Sequence, residues 1–86
     1  MNEIFLIGKV VTDIDFKFII NSKNISIATF KIETIDNQLV SLMAYSDNAD
    51  YAYSKLKIND YIGIYGHLET NGLVNIENIM KQAKKH

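Results

Sequence analysis

The chain has no cysteine, no proline and no tryptophan, and its nine basic residues are all lysine. Without cysteine there can be no disulfide framework and no Cys-type zinc site. Two histidines give a metal centre little to build on. The longest apolar runs are four to five residues, as in Ile4-Phe5-Leu6-Ile7. That is too short for a membrane-spanning helix or a signal-peptide core, so a cytoplasmic location is expected. Nothing converges on catalysis either. There is no Gly-rich phosphate loop and no Ser/His/Asp order with a supporting motif, so no enzyme and no cofactor are expected.

What remains is a chain of 86 residues, 48% hydrophobic and 22% charged, with a formal net charge of −1. This is a globular composition for one small domain, which buries roughly 60–65% of its unfolded surface. Bulk charge announces no polyanion partner. β-Branched and aromatic residues dominate, and turn residues punctuate them at Thr12-Asp13, residues 21–24, Asp36-Asn37, Asn59-Asp60 and Asn71-Gly72. The spacing predicts an all-β domain with strands near 3–11, 15–20, 25–34, 39–46, 61–69 and 73–79. The domain is expected over residues 1–80, with 81–86 as a basic tail.

Residues 47–57 break the pattern. Ala49, Ala52, Tyr53 and Leu56 repeat at helical spacing. Ser46 or Asp47 is the expected N-cap, and Asn59 the expected left-handed stop. Asn71-Gly72 predicts a type I′ hairpin. The 34–38 turn sets which side chains share a face. A three-residue loop, Ile35-Asp36-Asn37 with Asn37 left-handed, pairs Thr34 with Gln38. It gathers Ala28, Phe30, Ile32, Val40, Leu42 and Ala44 on one apolar face. Ile27, Thr29, Lys31, Glu33, Leu39, Ser41, Met43 and Tyr45 then share a mixed face that needs a partner or ligand.

Strands with one helix between the third and fourth barrel strands suggest a five-stranded Greek-key barrel, the OB-fold. Four segments carry the idea further. Met1-Asn2-Glu3-Ile4-Phe5-Leu6-Ile7-Gly8 resembles the opening strand of bacterial single-stranded DNA-binding proteins, where Asn precedes an apolar strand ending in Leu-x-Gly. Thr12-Asp13-x-Asp15-Phe16-Lys17-Phe18 is similar to their Asp-Pro-Glu-apolar-Arg-Tyr segment. Ile27-Ala28-Thr29-Phe30 is similar to their Val-Ala-x-apolar strand. Leu56-Lys57-Ile58-Asn59-Asp60 through Gly66-x-Leu68-x-Thr70 resembles their Leu-Lys-Lys-Gly-Asp…Gly-x-Leu-x-Thr run. The stripped-down plan is similar to that of the small relatives called primosomal replication protein N.

The resemblance implies a homodimer or homotetramer that binds single-stranded DNA along a cationic groove with aromatic platforms. Carried over, Lys17 stands at the family's Arg and Phe18 at its Tyr. Thr29, Lys31, Ser41 and Met43 lie on the groove face. Tyr45 stands where the family places a stacking aromatic, and Lys57 holds a basic position at the helix end. Lys9 and His67 complete the candidate set. There are departures too. Glu3, Asp47 and Glu69 stand where the family often has basic residues, Leu39 where it often has a stacking Trp. The loops after the second strand and at Asn71-Gly72 are short. Two alternatives stay open. Leu39, Met43 and Tyr45 suit a stacking surface or a subunit interface, and the lysines suit phosphate contacts or plain solvation. A protein-binding adaptor of a replication, conjugation or phage complex is the competing function.

Overall fold

A computed structural model describes residues 2–20 and 24–82. Six strand segments and one helix follow in the order β1 (Glu3–Val10), β2 (Asp15–Ile19), β3 (Ile25–Thr34), β4 (Leu39–Tyr45), α1 (Ser46–Lys55), β5 (Tyr61–Leu68) and β6 (Val74–Lys81). β1 pairs antiparallel with β5, β5 with β6, and β3 with β4. β6 runs parallel to β4 at Leu42↔Val74 and Met43↔Asn75. β3 returns to β1 from Gly8↔Thr34 to Val10↔Ile32, which closes the barrel.

β2 pairs with β3 one step beyond β1, from Asp15↔Thr29 to Ile19↔Ile25. Between them the ladder persists. Val11 donates its N–H to the Lys31 carbonyl at 3.0 Å, and the Lys31 N–H donates to Thr12 Oγ1 at 2.9 Å. β1 and β2 are thus one barrel strand interrupted by a bulge. The barrel has five strands and is an OB-fold, with its single helix between the third and fourth.

Alternation along the strands sends one face inward. Val10, Ile32, Leu42, Ile62, Ile64 and Val74 are fully buried. The helix lays Ala49 and Ala52 against this core, where their small side chains permit close approach to β3 and β4.

The 34–38 turn has the three-residue form. Thr34 N–H donates to the Gln38 carbonyl at 2.9 Å, Asn37 N–H to the Thr34 carbonyl at 2.9 Å, and Asn37 sits at φ 64°. Glu33↔Leu39 through Ile27↔Tyr45 then follow in the expected register. The other hairpin departs from its type I′ expectation. Glu69 N–H reaches the Leu73 carbonyl, Gly72 N–H reaches Glu69, and only Gly72 has positive φ, at 86°. This is the same three-residue loop. The Asn71 side chain accepts from the Leu73 N–H at 3.1 Å, which holds Asn71 out of the left-handed conformation that type I′ requires.

The helix ends also differ. Tyr45 is the N-cap, and no side chain caps the first turn. β4 runs directly into the helix, so Ser46 absorbs the change of direction at φ 56°. Its carbonyl lies 3.3 Å from Ser26 Oγ, which donates to Asp50 at 2.8 Å. The helix stops at Lys55, before the expected 57. Asn59 is left-handed at φ 82°, but in the turn that leads to β5. β6 extends to Lys81, whose ammonium contacts Asp60 at 3.3 Å and the Lys55 carbonyl at 3.2 Å. Lys81 therefore belongs to the barrel and not to a tail. Lys84 and Lys85 lie outside the described residues.

Candidate nucleic-acid interface

The outward side of β2, β3 and β4 is a ladder of cross-strand rows. Lys17, Ile27 and Tyr45 form one row, and Asp15, Thr29 and Met43 the next. Lys31 pairs with Ser41. Glu33 lies beside both Lys9 and Leu39. A shallow depression of about 370 Å³ lies over the Asp15–Thr29 and Lys31–Ser41 pairs, lined also by Thr12, Asp13 and Leu73. The Tyr45 hydroxyl donates to Met43 Sδ at 2.9 Å. That contact ties ring and thioether into one apolar platform, with Tyr45 40% exposed.

Acids alternate with bases on this surface. Asp13, Asp15 and Glu33 interleave with Lys9, Lys17 and Lys31, so no continuous positive track forms. Any polyanion held here would rest on a few lysines and on apolar contact.

Of the candidate residues, the fold brings Lys17, Thr29, Lys31, Ser41, Met43 and Tyr45 onto this one face. Lys9 sits at its far end, between Glu33 and Tyr61. Phe18 is set apart. It alternates with Lys17 along β2 and faces the same side as Phe16, which stacks on Tyr53 of α1 at 4.4 Å. Lys57 lies in the loop after the helix, its N–H donating to Asp60 at 2.9 Å. His67 reaches the face indirectly. Asn75 pairs with Met43 on one side and with His67 on the other, extending the Thr29–Met43 row around the barrel. Asn75 and Leu73 also border this face, and no sequence pattern marks them for it. Their place depends on the parallel β4–β6 pairing, which has no local signal.

His67 is held by two acids. Nδ1 lies 2.7 Å from Glu77, and Nε2 lies 2.9 Å from Glu69. Only the protonated ring can donate to both. The Glu77 hydrogen bond raises the His67 pKa above its ordinary 6.5, partial loss of hydration opposes it, and the charges of Glu69 and Glu77 add to the rise.

A second outward surface lies across β1, β5 and β6. Phe5 and Tyr65 pair in register with ring centroids 4.7 Å apart. Gly63 lies beneath them, where an added Cβ would stand 3.5 Å from the Phe5 ring. Ile7, Tyr61 and Met80 extend this exposed apolar surface. The Tyr61, Tyr65, His67 alternation thus belongs to a face with a real apolar patch at one end.

The fold defines the class: an OB-fold barrel whose β3–β4 face is left open. No protein-family model matches the sequence, and no curated protein matches it. Solved structures do. The chain is similar to the single-stranded DNA binding protein of Thermus aquaticus, with TM-score 0.86 and 14% identity over 100% of this chain. It is similar also to the SSB domain of a Synechococcus sp. protein, with TM-score 0.81 and 14% identity over 92% of this chain and 93% of that one. It spans only 42% of the Thermus aquaticus chain. The shared feature is the fold, an OB-fold.

Proposed function

We propose that this protein binds single-stranded DNA without sequence preference and without catalysis, as a homodimer or homotetramer in the cytoplasm. The working unit is one OB-fold domain, residues 1–80, followed by the stretch 81–86, whose first residue already lies in β6. The observation that carries the reading is the Tyr45–Met43 platform on an open β3–β4 face, flanked by Lys17 and Lys31. Bases stack on such a platform whatever their identity, and lysines meet the phosphates. The exposed Phe5, Ile7, Tyr61, Tyr65 and Met80 surface supports self-association on a separate face. No described helix is long and apolar enough to cross a membrane. Replication, recombination or repair would supply the DNA.

Fluorescence anisotropy with oligo-dT at low and high salt tests the reading. Binding at micromolar protein in low salt is expected, and its absence there refutes it. The interleaved Asp13, Asp15 and Glu33 favour a second reading, in which the same face holds a protein partner of a replication, conjugation or phage assembly. Loss of DNA binding in Tyr45→Ala, with oligomeric state intact, rules that second reading out.

A further inference from the structure

β2 is the last strand in the sheet order, hydrogen-bonded to β3 and to no other strand among the described residues. Edges of this kind are normally blunted by proline, by several charges or by a cover. This one carries Phe18 at 56% exposure, Ile19 at 41% and, just beyond it, Ile20 at 81%. Backbone geometry is equally open. Thr34 donates to Gln38, so the even residues of β3 bond toward β4 and the odd ones toward β2. Thr29↔Asp15 and Ile27↔Lys17 are then the bonded pairs, and Phe16 and Phe18 turn their N–H and C=O groups to the free edge.

We propose that this edge is a docking surface for β2 of a second copy of the chain, paired antiparallel with Phe16 opposite Phe16. Charge selects both the occupant and the register. With Phe16 on the two-fold axis, Asp15 lies opposite Lys17 of the second copy, and Lys17 opposite its Asp15. Two cross-strand ion pairs form on the groove side. On the other side, Phe18 lies opposite Ile14. Registers that keep the edge bonds differ by one step of pairing. One step one way sets Lys17 against Lys17, and one step the other way sets Asp15 against Asp15. Both put like charges on the axis, so of these three registers only the Phe16-centred one sets Asp15 and Lys17 each against its opposite, in the reciprocal pattern of an isologous contact. The paired edges join the groove faces of two barrels into one sheet. This contact is distinct from the β1–β5–β6 surface, and it stands whether or not the groove binds DNA.

The absence of native cysteine makes the register directly testable without DNA. In the proposed pairing, position 15 opposes position 17 in a non-bonded pair, where the Cα separation of about 4.5 Å suits a disulfide. Asp15→Cys and Lys17→Cys proteins, mixed under mild oxidation, should give a cross-linked dimer several-fold above either protein alone. No cross-link in the mixture, or an equal yield from one variant alone, overturns the proposal. Sedimentation supplies an independent arm. Lys17→Asp should weaken this contact on the order of tenfold, and Asp15→Lys combined with Lys17→Asp should restore it. Self-association unchanged by Lys17→Asp also overturns the proposal. Oligo-dT anisotropy on wild-type protein reads the DNA-binding function separately.

Discussion

Glu77 is the residue that the β6 bulge leaves unpaired, and its carboxylate takes the Nδ1–H of His67 at 2.7 Å. Tyr65 pairs with Asn78 and Gly66 with Ile76, so Glu77 has no partner on β5. Freed from the ladder, it turns outward, and its own carbonyl accepts from Asn48 Nδ2 at 3.2 Å. The bulge thereby links α1, β6 and β5 at one point, as bulges that re-aim a side chain do.

This arrangement sets a pH dependence. The folded His67 pKa is raised above 6.5, so the fold favours the protonated ring. Its contribution is complete below the unfolded value and is lost as pH rises through the raised folded value. We expect Tm to fall across that window in wild type and to lose this component in His67→Gln. Thermal unfolding between about pH 5.5 and 8.5 measures it, with the His67 ring titration by NMR as the direct check.

Gly66 sits at the same bulge. A Cβ there would strike the Asn75 carbonyl oxygen, a backbone atom that cannot swing aside. Gly66→Ala is expected to destabilise the fold by about 1–3 kcal/mol through forced backbone displacement. Gly63→Ala meets only ordinary contacts and should cost far less. Denaturant titration of the pair distinguishes crowding at the bulge from a general intolerance of β5 to side chains.

The groups proposed to contact DNA should separate by salt. Tyr45→Ala is expected to weaken oligo-dT binding by about 1–3 kcal/mol at every ionic strength, since stacking carries little counterion release. Lys31→Ala is expected to lower the slope of log K against log salt by about 0.7, one phosphate's worth on a single strand. Anisotropy from low to moderate salt checks both. Equal salt slopes in wild type and Lys31→Ala would remove that lysine from the site.

The core offers a control. Leu42 is fully buried and faces inward from β4, directly behind the Ser41–Met43 surface. Leu42→Ala should cost about 2–5 kcal/mol by leaving a cavity. Ser41→Ala, on the half-buried outer face, should leave stability nearly unchanged. Chemical denaturation of both reports whether the inward and outward faces of β4 are assigned correctly.

Much of this was legible along the chain, for local reasons. Alternation determined which side chains of β3 and β4 turn inward. The three-residue turn at Ile35-Asp36-Asn37 determined their register, because a one-residue slip would have exposed Val40 and Leu42. That was enough to assemble Lys31, Ser41, Met43 and Tyr45 on one surface. Tertiary structure decided the rest. The bulge between β1 and β2 moved the pairing on β3 along by two residues, which set Lys17 beside Ile27 in the row that ends at Tyr45. The parallel β4–β6 pairing brought Asn75 and His67 to the end of the Met43 row, and the β6 bulge turned Glu77 onto His67. Ser46 failed as a cap because β4 runs directly into the helix, which leaves Tyr45 as the N-cap and Ser46 already inside the first turn. Periodicity and turn chemistry act between neighbours and can be read from them. Barrel closure, bulges and long-range hydrogen bonds depend on groups that meet only once the chain has folded.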